Sequence, residues 1–172
     1  ALRREHRIPR TAFTAFTILA MGKLGGGELN FSSDVDLIYL YASKQEEIVT
    51  DDRLGSMTAS EYFRRLSQRV TVALNEFTGE GYLYRVDLRL RPEGEAGDIA
   101  CPLDGFERYY ELRSGTWERL ALLKAWPVAG DRALGEALLR DLEPFVYRRY
   151  LDYATLEDLK QMKARVKRAL AA

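Results

Sequence analysis

Asp34-Val35-Asp36 lies just after Gly25-Gly26-Gly27 and runs directly into Leu37-Ile38-Tyr39-Leu40-Tyr41. Successive side chains of a strand point to opposite faces, so Asp34 and Asp36 share one face while Val35 and Leu37 take the other. Two carboxylates placed this way can share a hard cation. Oxygen donors suit Mg²⁺ or Mn²⁺, and Mg²⁺ commonly completes its shell with water and substrate phosphate. Glycines ahead of the strand let backbone N–H groups approach a phosphate closely. The combination predicts a site for metal-assisted nucleotidyl transfer.

Spacing alone carries little weight, because 26 acids in 172 residues give about four acid-x-acid matches by random placement. The chain has three, the others being Glu93/Glu95 and Asp141/Glu143. The first of these follows Pro92 in a turn-like stretch, and the second lies in a helical pattern, where residues two apart face different ways. Asp34/Asp36 alone combines a strand, a glycine loop and the small polar pair Ser32-Ser33.

A third carboxylate is expected on a neighbouring strand. Alternation along residues 81–91 puts Tyr84, Val86, Leu88 and Leu90 on one face and Arg85, Asp87, Arg89 and Arg91 on the other. An acid among arginines supplies a metal ligand and contacts for phosphate oxygens, or else an exposed face of charge pairs. Both readings stand on these residues alone.

The elements that must position these groups follow from periodicity. Phe13 to Met21 reads as a strand that ends at a turn through Gly22 to Gly27, and Glu28 to Phe31 as a helical turn or loop. Lys44 to Met57 is polar and reads as a mobile loop. Thr58 opens a helix with Glu61 at capping-box spacing; Tyr62, Phe63, Leu66, Val70, Ala73, Leu74 and Phe77 form its apolar stripe. Helical patterns continue over Leu103–Leu112 and Thr116–Val128, and from Asp131 onward with a break at Pro144. The last, basic stretch carries Leu156, Leu159, Met162, Val166 and Leu170 as a stripe for packing. The expected class is α+β: a mixed sheet with helices on one side over residues 1–130, and a helical extension over 131–172.

Composition sets the frame. The chain has 26 basic and 26 acidic residues, so it offers no general attraction to nucleic acid or to an anionic membrane, and neither is an expected partner. A single cysteine, Cys101, excludes an internal disulfide and a zinc cluster, and a single histidine, His6, argues against Ser-His-Asp or Cys-His chemistry. No apolar run approaches the length that spans a bilayer and no signal peptide is visible, so a cytoplasmic location is expected. The charged opening without methionine suggests a segment of something longer.

Several spaced stretches carry a family resemblance. Residues 21–38, from Met21-Gly-Lys-Leu-Gly-Gly-Gly through Asp34-Val-Asp36, resemble the signature of the glutamine synthetase adenylyltransferase/adenylyl-removing enzymes, within the polymerase-β-like nucleotidyltransferase superfamily. So do Tyr84 to Pro92, Tyr109-Tyr110, Trp117-Glu118-Arg119 and Lys124-Ala125. That family pairs two such domains in one long protein: one attaches AMP from ATP to a tyrosine of glutamine synthetase, the other removes it by phosphorolysis and releases ADP. Trp117-Glu118-Arg119, where the attaching copy typically has Trp-Glu-His, and Pro144 to Asp152 are similar to the N-terminal, adenylyl-removing copy. Trp126 departs from the pattern where arginine is frequent, and Glu93 where phenylalanine is common.

The resemblance implies a polymerase-β-like fold and a set of roles. Asp34, Asp36 and Asp87 would be catalytic and hold Mg²⁺ or Mn²⁺. Gly25 and Gly26, with Ser32 and Ser33, would line the nucleotide phosphates of ATP, ADP or AMP. Arg89, Arg91 and Lys124 would meet phosphate or transition-state charge. Glutamine synthetase, inorganic phosphate and, through the full-length enzyme, a PII-type signalling protein are the implied partners. The attaching domain of the same enzyme, another nucleotidyltransferase with a different acceptor, a non-catalytic module and, disfavoured by the neutral charge, a nucleic-acid polymerase are the alternatives. Trp117, Tyr109 and Tyr110 are expected in the core, and Cys101 as a buried small hydrophobe.

Overall fold

The structure, a computed structural model, describes residues 15–42, 48–51, 55–79, 81–147 and 153–171. Its centre is an antiparallel pair, β1 (Ala15–Ala20) and β2 (Val35–Ala42), in register from Ala15 opposite Ala42 to Ala20 opposite Leu37. Two short strands pair parallel with β2 at different levels: β5 (Val86–Asp87) beside Val35-Asp36, and β6 (Ala100–Pro102) beside Tyr39 to Tyr41. On the far side β7 (Trp126–Gly130) pairs antiparallel with β1, giving the order β5-β2-β1-β7.

The run Leu37 to Tyr41 is apolar at every position, so β2 must be covered on both faces. One face, with Ile18, Ala20, Val35, Leu37, Tyr39 and Tyr41, packs on Tyr62 and Phe63 of α2 (Ala59–Asn75). The other, with Leu19, Met21, Ile38 and Leu40, packs on α3 (Leu103–Leu112) and α5 (Arg132–Val146) through Phe106, Tyr110, Leu138 and Leu142. Helices therefore flank the sheet on two sides, where one was expected. The same packing makes α5 part of the core, so the division expected at residue 130 falls inside a single packed unit.

Thr58 Oγ1 accepts from the Glu61 N–H at 3.2 Å, as the capping spacing predicts, but the Glu61 carboxylate turns to Arg65 and leaves the reciprocal half of the box unmade. Phe77 lies beyond the end of α2 and is exposed, not part of its stripe. The stretch read as a mobile loop contains a hairpin of β3 (Ile48–Asp51) and β4 (Gly55–Thr58), while residues 43–47 and 52–54 lie outside the described ones.

Thr116 to Val128 is not one helix. It is α4 (Thr116–Ala121), a 3₁₀ turn over Leu122–Lys124, and then β7. Pro127 has no N–H to give and sits on an edge strand, at an irregularity in the pairing with β1 where such a residue is tolerated. Pro144 lies within the last turn of α5 and removes one N–H without ending the helix. The last helix, α6 (Tyr153–Ala171), meets α4 through a hydrogen bond between Thr116 Oγ1 and Asp158 at 3.1 Å, while Leu156 and Val166 of its stripe stay exposed.

Candidate functional site

β1 leaves the sheet at Met21, whose N–H donates to the Asp36 carbonyl at 2.9 Å, and enters a single helical turn, α1 (Gly22–Gly25). Gly22 has φ +54°, and a Cβ there would stand 2.4 Å from Asp36 Oδ2. The loop backbone thus lies directly on the carboxylate. A Cβ at Gly25 would come within 1.9 Å of the Lys124 carbonyl oxygen, and one at Gly26 within 3.1 Å of Lys124 Cδ. These two glycines exist to let the turn before β7 close over the loop. Lys124 is held there by an ion pair from Nζ to Glu28 Oε2 at 2.5 Å.

The glycine N–H groups, expected to cradle a phosphate, are committed elsewhere. Gly25 donates to Met21, Gly26 to Gly22, Gly27 to Leu24 and Glu28 to Lys23, each at 2.8–3.1 Å. Gly25 and Gly26 therefore act in this structure by close packing. Ser32, at φ 59°, and Ser33 form a turn closed by Ser33 N–H to the Asn30 carbonyl at 3.2 Å, immediately before Asp34.

Parallel pairing sets Asp36 beside Asp87 on adjacent strands, with side chains on the same face. Asp34 stands at the entry to β2, where the Val35 N–H donates to the Arg85 carbonyl at 2.9 Å. Its carboxylate pairs with the Arg85 guanidinium. Asp87 is held by Arg89 through its Nε at 2.9 Å and its Nη2 at 2.5 Å, and through the Arg89 N–H at 2.8 Å. Among the described residues no three acidic, cysteine or histidine side chains converge on one metal position, because two of the three aspartates face arginines instead.

Electrostatics separate Asp36 from Asp87. Burial first, then the neighbouring charges of Asp87 and Asp34, hold the Asp36 carboxyl above the usual carboxylate range, with Arg89 opposing. The Arg89 hydrogen bonds hold Asp87 below it. Burial and the two neighbouring carboxylates thus disfavour the charged form of Asp36, and Arg89 offsets only part of that. The donors that Asp36, Asp87 and Asp34 offer are all oxygen, a chemistry compatible with a hard cation.

Arg91 does not reach this face. The β5 alternation lasts only through Asp87, the chain then turns, and the Arg91 guanidinium donates to the carbonyls of Leu88, Glu95 and Gly97 at 2.8–3.2 Å. It braces the following loop. Glu118 is buried; it accepts from the Gly115 N–H at 2.7 Å and from the Tyr109 hydroxyl at 2.5 Å, so it caps α4 and ties it to α3. Tyr110 is buried as expected, but Trp117 is 49% exposed. Cys101 is partly buried, and its thiol is pushed up to about 12, first by burial and then by Asp98, Asp104 and Glu93.

Three participants were not singled out from the sequence: Gly22, Glu28 and the pairing of Arg85 with Asp34. A lone Gly after a strand signals a turn, yet nothing local says that its missing Cβ makes room for Asp36. The partners of Glu28 and Asp34 are 96 and 51 residues away in the chain.

A mixed sheet flanked by helices, with acids at the start of β2 and on its parallel neighbour beside a glycine turn, is the arrangement expected of a polymerase-β-like fold. Residues 3–141 match the family described as glutamate-ammonia ligase adenylyltransferase. The chain is 51% identical over 149 residues to a protein of Xanthomonas campestris pv. campestris (strain B100), covering 87% of this chain and 16% of that protein. It is 49% identical over 162 residues to one of Stenotrophomonas maltophilia (strain R551-3), covering 94% of this chain and 16% of the other. With a protein of Rhizobium meliloti (strain 1021) the identity is 45% over 165 residues, with 95% and 16% covered. Each of the three is named a bifunctional glutamine synthetase adenylyltransferase/adenylyl-removing enzyme. The chain belongs to the glutamate-ammonia ligase adenylyltransferase family, and spans about one sixth of the length of these relatives. A crystal structure of a toxin-antitoxin with AMP-PNP overlaps it at a TM-score of 0.34 with 16% identity, over 99% of this chain and 90% of the other, an overlap too loose to bear on chemistry.

Proposed function

We propose that this chain is the adenylyl-removing unit of such an enzyme, cleaving tyrosyl-AMP on glutamine synthetase by phosphorolysis and releasing ADP. The observation that carries the reading is the register of Asp36 beside Asp87 on parallel strands, with Asp34 adjacent and Lys124 over the glycine turn. Support for the removing direction comes from Trp117-Glu118-Arg119 and from Pro144 to Asp152 in the sequence, of which residues 148–152 lie outside the described ones.

In the reaction an oxygen of inorganic phosphate forms a bond to the phosphorus of the bound AMP group, and the bond from that phosphorus to the tyrosine oxygen breaks. Tyrosine leaves as a phenolate, whose ordinary pKa near 10 makes it a tolerable leaving group. Asp36 and Asp87, with Asp34, would hold Mg²⁺ or Mn²⁺, which when bound neutralises charge on the transferred group. Lys124 and Arg89 carry the positive charge that receives the incoming phosphate, and each must exchange its present carboxylate partner for it. Close packing at Gly22 against Asp36, and at Gly25 and Gly26 against Lys124, would hold these two side chains on opposite sides of one turn, as an in-line displacement requires. A PII-type signalling protein would act through parts of the enzyme outside this chain.

The test is to incubate the chain with adenylylated glutamine synthetase, inorganic phosphate and Mg²⁺. ADP should appear, and should not appear when phosphate is omitted. Transfer of radiolabelled AMP from ATP onto unmodified glutamine synthetase by this chain alone would assign it to the attaching half instead.

A further inference from the structure

Beside the carboxylates lies a cavity of about 570 Å³ that the phosphate chemistry leaves unused. Its walls come from two loops. One is the stretch before Asp34, which carries Phe31 fully exposed. The other is the turn after α2, where Thr78 and Gly81 exchange N–H to carbonyl hydrogen bonds of 2.8 and 3.0 Å and the Tyr84 N–H donates to Leu74 at 3.0 Å. That turn holds the Phe77 and Tyr82 rings side by side, centroids 6.2 Å apart, with Leu83 and Tyr84 next along the wall. Phe77 is 78% exposed and Leu83 69%. A hydrogen-bonded turn that presents so many apolar groups to water gains nothing for folding from their exposure.

The charge distribution narrows the occupant. Among the described lining residues the only ionised group is Arg85, at the edge of the cavity, and its guanidinium pairs with Asp34. A ligand that matches the whole site has a flat aromatic part for the rings and an anionic part for Arg85 at the cavity's edge. A purine nucleotide has that form, and the cavity has the size of an ordinary small-molecule site. We propose that the Phe31, Phe77 and Tyr82 cavity is the base-binding pocket for the transferred nucleotide, with Arg85 moving from Asp34 to the nucleotide phosphate on binding. The assignment rests on the nucleotidyl-transfer reading above and adds the place and means by which the base is held.

The experiment measures Kd for ADP, pyrophosphate and N-acetyltyrosinamide by calorimetry on this chain, as wild type and as Phe77→Ala, Phe77→Trp, Phe31→Ala and Arg85→Gln. Removing one stacking ring should weaken ADP about 5- to 100-fold, leave pyrophosphate within twofold, and leave Tm unchanged since both phenylalanines are exposed. Phe77→Trp should restore ADP binding, which a merely structural role would not require. Arg85→Gln should weaken both ligands. ADP affinity at the wild-type value in both phenylalanine variants overturns the pocket while leaving nucleotidyl transfer intact. Wild-type protein that binds no ADP at millimolar concentration overturns the underlying reading as well. Loss of N-acetyltyrosinamide binding in Phe77→Ala with ADP unaffected would give the cavity to the acceptor tyrosine, and also overturns it.

Discussion

Asp36→Asn should abolish turnover and at the same time make the folded chain more stable. Asp36 stands in register with Asp87 on the neighbouring strand, and its partial burial, then Asp87 and Asp34, raise its pKa. Strands lie about 4.8 Å apart. Like charges about 5 Å apart repel by about 1–2 kcal/mol at an effective dielectric constant of about 40–80, suited to a half-exposed pair. Arg89 on Asp87 cancels part of this, leaving a net gain of about 0.5–1 kcal/mol on neutralising Asp36. For a domain of this size the gain corresponds to about 1–4 °C in Tm. The sign can be checked against pH. A carboxyl raised in the folded state favours folding when protonated, so its stabilising influence is present below the ordinary carboxylate range and is lost as pH rises through the raised value. The advantage of asparagine should therefore be full near pH 7.5 and vanish as acid protonates Asp36. Thermal unfolding of both proteins in EDTA from pH 4 to 8, alongside ADP release with Mg²⁺, measures both effects. A lower Tm for Asp36→Asn at pH 7.5, or ADP release at the wild-type rate, refutes the reasoning.

Lys124→Ala and Arg89→Ala should each raise the phosphate concentration needed for half-maximal ADP release about ten- to a hundredfold, since a lost charge-assisted contact costs about 1.5–3 kcal/mol; Tm should move little in Lys124→Ala, whose ion pair with Glu28 is half-exposed. Gly25→Ala should destabilise the chain by about 2–4 kcal/mol, because its Cβ would stand 1.9 Å from one backbone oxygen and 2.5 Å from another; a Tm within 2 °C of wild type, on the order of 1 kcal/mol or less, contradicts the close packing of that turn. Cys101, with its thiol raised to about 12, should react with iodoacetamide at pH 8 far more slowly than free cysteine, and should match it once the chain is unfolded in urea.

The acid pair, the glycine turn and the strand that follows are legible in the sequence because each is a local matter: alternation is read within a few residues, and the Thr58 cap within one turn. The family likewise follows from short stretches in a fixed order. What a local pattern does not hold is which distant segment arrives beside it. Trp126 to Val128 reads as the tail of a helix, yet pairing with β1 makes it part of a strand. The alternation of residues 81–91 places Arg91 with Asp87, but the strand, paired among the described residues with β2 alone, stops after Asp87, so Arg91 turns to carbonyls while Arg89 stays.

The same holds for the glycines and for the covered faces of the sheet. Composition shows that Gly25 and Gly26 leave room; only the approach of Lys124 from ninety-odd residues away shows what fills it. The apolar run of β2 demands cover on both faces, and the chain says so in Leu37 to Tyr41. That α5 supplies part of that cover, and is thereby core and not extension, depends on Leu138 and Leu142 meeting Leu19 and Ile38 in space. Chemistry written in side-chain types and short spacings survives the change from string to structure. Partners, burial and charge balance come from long-range packing, whose free energy no short window of residues contains.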